Sequence, residues 1–223
     1  MEPELRSRDG SIHVTDERIN TITALVGSLV VVTLAAVLIA HTIETPMRWY
    51  QYSAVGIYLA GLINLFVMST LHHGLDLSPR GNKVLKTLDH TAIFGLIAGT
   101  MTACIAFRFH TVQGLCVLAA TWLIAIISIV MRAVFELPKH ISNTLFIALG
   151  WLPSLALLPG LVKLPLLEIG LLVLGGLVYS IGFYSYVAEK PNLKPGIFGF
   201  HELWHILVII AAVLHWLFII SII

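Results

Sequence analysis

Seven long apolar stretches, separated by short polar segments, run through most of the chain. A helix needs about 20 mostly apolar residues to cross the hydrocarbon core of a bilayer. The first stretch is the clearest, because residues 22–40 contain no charged side chain. The pattern predicts an all-α fold, a bundle of seven transmembrane helices in one domain over residues 20–223, behind a polar tail over residues 1–19. The predicted spans are roughly 20–41, 50–73, 88–108, 112–132, 141–160, 165–187 and 199–222.

The composition agrees with a chain that lies mostly in lipid. Of the 223 residues, 58% are hydrophobic and 11% are charged, against about 25% charged in soluble domains, and the mean hydropathy is +0.93. A formal net charge of +1 argues against a nucleic-acid partner. The polar start of the chain lacks the apolar run of a signal peptide, so we expect no cleaved leader. Cys104 and Cys116 flank a short loop in apolar sequence, and we expect two buried thiols, with a disulfide across the loop as the alternative.

Lys and Arg residues are distributed unequally between the two ends of the predicted helices. If the N-terminus is cytoplasmic, ten of the thirteen fall on the inner side and three on the outer side. Because basic residues favour the cytoplasmic side, we expect a multi-pass protein of the plasma (inner) membrane, with its N-terminus in the cytoplasm and its C-terminus outside. The ten inner residues are Arg6, Arg8, Arg18, Arg80, Lys83, Lys86, Arg132, Lys139, Lys190 and Lys194, and the outer ones are Arg48, Arg108 and Lys163.

Four ionisable side chains lie at the edges of apolar stretches, all at the predicted cytoplasmic end. His73 ends the second stretch and Asp89 opens the third, while His201 and His205 open the seventh. Such groups are costly beside lipid, so several at one depth indicate a site.

The spacing of these residues indicates a metal site. His201 and His205 are four residues apart, which places both imidazoles on one helix face. Together with His73 they would offer three ring nitrogens, an arrangement in which zinc keeps an open fourth position. Asp89 is a candidate for exchanging a proton with water there, and Ser69 shares a helix face with His73. The alternative is that these histidines only form hydrogen bonds between helices.

The remaining polar residues in the spans are interpreted as structural. His72, His90 and Glu202 each point about 100° away from a neighbouring candidate on the same helix, which favours interface contacts. For Glu202, a contact with lipid headgroups or with a group behind the ligands is the alternative. His215 lies about 15 Å along the helix from the proposed ligands, so we expect it to pair with another helix. Glu17 opens the first helix and is interpreted as an acidic cap. The roles of His72, Glu17 and His215 stay open.

These motifs, in this order, resemble the hemolysin III family, the bacterial branch of the progestin and adiponectin receptor family and a more distant relative of alkaline ceramidases. The resemblance extends from Glu17 to Trp216. The chain differs from the common pattern at His72, where families of this type often have Tyr, and at Ala24, where His is common. The matching segments are Glu17-x-x-Asn20-x-x-Thr23, Ser69-Thr70-Leu71-His72-His73, Leu88-Asp89-His90-Thr91-Ala92-Ile93 and Phe198-Gly199-Phe200-His201-Glu202-Leu203-Trp204-His205.

The resemblance implies a zinc ion near the cytoplasmic face, bound by His73, His201 and His205. It also implies that Asp89 acts on the water at the metal, with Ser69 behind the ligands as a supporting residue.

Two classes of function follow from this set of residues. The first is a zinc-dependent, ceramidase-like hydrolase that cleaves an amide or ester of a membrane lipid at the cytoplasmic side. The second is a non-catalytic, zinc-stabilised membrane protein that senses or regulates the lipid state of the bilayer. A pore-forming haemolysin, which the family name suggests, fits less well because the spans are too continuous for a protein that inserts from solution. The lipid, the physiological role and the oligomeric state stay open.

Overall fold

The apolar stretches fold into helices joined by short loops. The computed structural model of the protein describes residues 17–135 and 138–223, so most of the predicted tail, up to residue 16, lies outside the described residues. Within these two ranges the chain forms eight helices and no β-strand, which confirms the all-α prediction for this part of the chain. The helices are α1 (Glu17–Glu44), α2 (Trp49–Gly74), α3 (Pro79–Arg108), α4 (Val112–Phe135), α5 (Lys139–Ala156), α6 (Leu158–Leu161), α7 (Leu166–Ala188) and α8 (Phe200–Ile222).

Six of these helices are long and apolar enough to cross a membrane, which makes the chain a multi-pass membrane protein. They are α1, α2, α3, α4, α7 and α8. The predicted fifth span falls on α5, which has 18 residues, contains Pro153, and ends three residues after it, before the single turn of α6. A proline inside a helix removes a backbone donor and favours such a break. The count of seven spans and the direction of crossing stay predictions.

Helix α3 lies at the centre of the bundle. In its most apolar segment 67% of the residues are buried, against 28% or less in α1, α4 and α7. It packs against α2, α4, α5 and α8. Helix α1 packs against α2 and α8. The outer helices expose large apolar side chains such as Leu29, Leu123 and Ile181. A helix that is apolar on its outward face as well is typical of a membrane span.

Two glycines allow α2 and α3 to approach closely. A Cβ atom on Gly61 would lie 3.0 Å from the carbonyl oxygen of Gly95, and one on Gly99 would lie 3.1 Å from the carbonyl oxygen of Ile57. Small residues at such a crossing let two membrane helices pack backbone against backbone. The close packing brings the last turns of α2 beside the first turns of α3.

The start of α8 is set by a capping interaction. The Glu202 carboxylate accepts a hydrogen bond from the backbone N–H of Gly199 at 2.7 Å, which satisfies a donor that the helix itself cannot satisfy. Glu202 is fully buried. This residue, for which the sequence predicts an interface contact, therefore caps the helix that contributes two of the candidate ligands.

Candidate metal centre

The three predicted ligands meet where α2 ends and α8 begins. His73 lies in the last turn of α2, and His201 and His205 lie in the first two turns of α8. All three side chains are buried, and one ring nitrogen of each lies within 4.8 Å of the other two. The Nε2 atoms of His73 and His201 are 3.3 Å apart.

This arrangement fits a zinc ion. Tetrahedral zinc with Zn–N distances of 2.0–2.1 Å places two nitrogen ligands about 3.3 Å apart, which equals the separation of the His73 and His201 nitrogens. Neutral imidazole is a common zinc ligand, and three of them leave a fourth position for water or substrate. The described residues therefore include a donor set that could hold such a metal.

Helix α1 forms a hydrogen bond to the first of these rings, that of His73. The Nδ1 atom of His73 lies 2.9 Å from Oε2 of Glu17. A carboxylate accepts hydrogen bonds, so a neutral imidazole here donates from Nδ1 and leaves its Nε2 unprotonated. Carboxylate partners of this kind fix the orientation of metal-binding histidines and raise their basicity.

The same helix also forms a hydrogen bond to the ring of His205, through Thr23. The Thr23 hydroxyl oxygen lies 2.9 Å from Nδ1 of His205 and 2.9 Å from the carbonyl oxygen of Asn20. A hydroxyl has one proton, and a carbonyl can only accept it. The hydroxyl therefore donates to the backbone and accepts from Nδ1 of His205, which leaves Nε2 of that ring free as well. One face of α1 thus orients two of the three candidate ligands.

Asp89 lies beside the cluster, in the third turn of α3. Its carboxylate accepts a hydrogen bond from the Ser69 hydroxyl, and it interacts electrostatically with His201. Asp89 also forms a second possible donor set with His72 and His73, again with the three atoms within 4.8 Å. Glu17 occupies Nδ1 of His73, so that ring has a single nitrogen to offer and only one of the two sets can use it.

A cavity of about 260 Å³ extends from the cluster into the bundle. Asp89 and His201 line one end, and Trp151 and His215 line the other. The separation of ten positions between His205 and His215 corresponds to about 15 Å along α8. The walls between the two ends are largely apolar and include Phe66, Ile93, Ile97, Phe146, Phe183 and Val208.

Among the other polar residues of the spans, His215 has the interhelical contact that the sequence predicts, and Glu17 is an exception. His215 donates from Nε2 to the carbonyl oxygen of Leu172 on α7 at 3.2 Å, which confirms that it pairs with another helix. His90, for which the sequence predicts an interface contact, instead donates from Nδ1 to the carbonyl oxygen of Lys86, one turn earlier in the same helix, at 2.7 Å. The exception is Glu17, which contacts a candidate ligand instead of serving only as a cap.

The contact of Thr23 with His205 has no counterpart among the sequence predictions. In the sequence Thr23 is only one position of the family-like pattern, although the three-residue spacing of Glu17, Asn20 and Thr23 indicates one helix face. For the cysteines, the prediction of two buried thiols is confirmed for Cys104 and wrong for Cys116. Cys104 is buried and Cys116 is exposed, and neither forms a disulfide.

Comparison with known proteins identifies the family. The family model described as haemolysin-III related matches residues 12–216. The chain belongs to the haemolysin-III related family. It is 30% identical to Hemolysin-3 of Bacillus cereus over 197 residues, which cover 88% of this chain and 86% of that protein. It is 29% identical to the Hemolysin-3 homolog of Bacillus subtilis (strain 168) over 194 residues, which cover 86% and 87%.

The haemolysin-III match includes every residue of the candidate metal centre, from Glu17 on α1 to His205 on α8. The resemblance predicted from the sequence motifs is therefore confirmed at the level of the family. The names of the two haemolysin relatives specify neither a metal nor a reaction, so the chemistry must be argued from the arrangement of side chains.

Proposed function

We propose that this haemolysin-III protein is a zinc-dependent hydrolase that cleaves an amide or ester bond of a membrane lipid at the cytoplasmic side. The proposal is carried by one observation: His73, His201 and His205 converge, and two of them line one end of a largely apolar cavity together with Asp89. Three protein ligands and an open position are typical of catalytic zinc. The apolar cavity suits an acyl chain, and its polar end suits the carbonyl group at the head of that chain.

The three-histidine set is preferred to the set of His72, His73 and Asp89 for a geometric reason. The 3.3 Å separation of the His73 and His201 nitrogens matches the edge of a zinc tetrahedron. The outer nitrogens of His73 and His205 are both occupied by residues of α1. Assigning the metal to the three histidines leaves Asp89 available for proton transfer.

The proposed reaction uses Asp89 as the proton carrier. Bound zinc would supply a water of lowered pKa and a positive charge near the carbonyl oxygen of the substrate. Asp89 accepts the proton that the attacking water loses as its oxygen bonds to the carbonyl carbon. It then delivers that proton to the nitrogen or oxygen that leaves as the C–N or C–O bond breaks. The products are a fatty acid and an amine or alcohol, and Ser69 keeps the carboxylate in place by its hydrogen bond.

The proposed topology has seven spans, with α5 as the fifth and the N-terminus in the cytoplasm. Three polar residues of α5, Ser142, Asn143 and Ser154, line the cavity. These residues lower the hydropathy of α5 without placing polar groups against lipid, which is compatible with a helix that crosses the membrane. The excess of basic residues at one end supports the direction of crossing and a location in the plasma (inner) membrane.

Metal analysis of the purified protein tests the zinc site. The wild-type protein should contain about one zinc ion per chain, and the His201→Ala/His205→Ala variant should lose it. The His72→Ala variant is the matched control and should keep its zinc, because His72 belongs only to the rejected donor set. Equal zinc in the wild type and the double variant would overturn the assignment.

Turnover tests the reaction separately from the metal. Purified protein in lipid nanodiscs should release fatty acid from ceramide or phospholipid, and Asp89→Asn should abolish release while keeping zinc. Unchanged release by Asp89→Asn would refute the role of Asp89. Full zinc occupancy without cleavage of any lipid would instead favour the non-catalytic protein, in which zinc ties α2 to α8.

A further inference from the structure

Arg132 is a charged side chain at the cavity that the proposed reaction does not use. It lies in the last turn of α4 and is one of the residues that line the cavity. A guanidinium group carries five N–H donors and does not lose its charge in proteins. The side chain is half-buried, and its Nε atom is enclosed without a hydrogen-bond partner among the described residues. The positive charge at this position therefore has an incomplete set of partners in the described part of the chain.

Helix α5 fixes the position of this guanidinium group. Arg132 donates from Nη1 to the hydroxyl oxygen of Ser142 at 3.0 Å, and Ser142 lies in the first turn of α5. Asn143, the next residue of α5, also lines the cavity. Its side-chain amide is half-buried and forms no hydrogen bond with another described residue. The amide can therefore donate to a ligand in the cavity, beside the group to which Arg132 is anchored.

The carboxylates at the cavity do not neutralise Arg132 by direct pairing. Asp89 and Glu189 both line the cavity, but no ion pair among the described residues joins either of them to Arg132. Asp89 interacts electrostatically with both Arg132 and His201, which places Arg132 at the same end of the cavity as the candidate metal centre. A second cation, Lys86, lines the cavity as well. Because a charge away from bulk water is costly unless it is paired, this end of the cavity favours an anionic ligand.

We propose that Arg132, together with Asn143, binds the phosphate group of a lipid whose acyl chain lies in the cavity. The inference rests on the proposed function in that the cavity takes an acyl lipid, and it makes that lipid a phospholipid. The amide or ester bond to be cleaved is neutral, whereas a phosphate offers the anionic oxygens that arginine binds through two N–H groups. The 24 residues of α4 are about 36 Å long, more than the hydrocarbon core of about 30 Å. The last turn of α4 therefore reaches the depth of lipid phosphates.

Binding of ether lipids, which contain no amide or ester bond, tests this inference on the purified full-length protein in an uncharged maltoside detergent. The probes are octadecylglycerol phosphate and octadecylglycerol, which differ only in the phosphate. The wild-type protein should bind the phosphate lipid about tenfold more tightly, a difference of about 1.4 kcal/mol. Arg132→Gln should lose this preference and still bind octadecylglycerol as the wild type does, which shows that its cavity is intact. Arg80→Gln, at an exposed position in the first turn of α3 outside the cavity, is the matched control and should keep the preference.

An unchanged preference in Arg132→Gln would overturn the inference. An equal loss of affinity for octadecanoic acid and for the phosphate lipid in this variant would also overturn it, because the site would then bind a carboxylate equally well. Inorganic phosphate at the concentration of the lipid should not compete, since it lacks the apolar chain, and full competition would assign the site to free phosphate instead.

The metal site and the phosphate site can fail separately in this experiment. The His201→Ala/His205→Ala variant should keep the preference for the phosphate lipid, because the proposed phosphate contacts come from α4 and α5. A preference that is lost in this double variant and kept in Arg132→Gln would place the phosphate at the metal and overturn the inference. Loss of zinc with an intact preference would leave the phosphate site standing whether or not the protein is a hydrolase.

Discussion

Replacing Glu17 with glutamine tests whether α1 orients the metal ligands. The substitution keeps the size of the side chain and removes the charge that accepts the Nδ1 proton of His73 across 2.9 Å. Loss of such a partner typically lowers metal affinity 10- to 100-fold. The Glu17 side chain is 19% exposed, and water weakens its interaction, so we expect the lower end of the range. The expected change is about tenfold, or about 1.4 kcal/mol.

The assay is competition for zinc between the purified protein and a chromophoric chelator of known affinity. Thr23→Val removes a neutral hydrogen bond to His205 and should cost about 1 kcal/mol, less than Glu17→Gln. Glu44→Gln, on the exposed far end of α1, is the matched control and should bind zinc as the wild type does. If Glu17→Gln and Glu44→Gln bind zinc equally well, α1 does not tune the site and the reasoning fails.

Three further predictions concern stability, measured as the free energy of unfolding in detergent. Arg108 donates two hydrogen bonds to Glu168, at 2.9 and 2.8 Å, so Glu168→Gln should destabilise the protein by about 2 kcal/mol; stability equal to the wild type would show that this pair contributes nothing. Gly99→Leu should cost about 1–3 kcal/mol by forcing α3 away from α2, while Gly95→Leu, where a Cβ atom meets no described atom within 4 Å, should cost less. Chelation should destabilise the wild-type protein by about 4 kcal/mol when free zinc was a thousandfold above its Kd, and a variant without the two α8 histidines should not respond.

The approximate positions of the apolar helices and the grouping of the histidines can be predicted from the sequence, because both depend on the length, hydropathy and order of the apolar stretches. Length and hydropathy mark a membrane helix, and alternating direction then assigns the end of each span to one side of the membrane. His73, Asp89 and the α8 histidines can therefore be grouped from the sequence alone. The hydropathy of α5 is harder to interpret, since a polar residue such as Asn143 counts equally whether it faces lipid or a cavity.

Contacts that depend on helix rotation cannot be predicted from the sequence. Glu17 has the position of a cap because it opens α1, and its contact with His73 requires the relative rotation of α1 and α2. The same holds for the hydroxyl of Tyr58, which lies in an apolar run and is distinguished only by having no partner among the described residues once the helices are packed. Pairing between side chains of different helices is a property of the packed bundle, and the sequence of one helix does not contain it.

The order of the ligands along the chain has a consequence for biosynthesis. His73 belongs to the second helix, whereas His201 and His205 belong to the last one, and α1 contacts both ends of this set. If zinc is bound by the three histidines as proposed, a nascent chain that has inserted α1 to α7 possesses only one of the three nitrogen ligands. Binding of zinc by that set would therefore require α8, so a chain with zinc at this site would be one in which the first and last helices are already packed together.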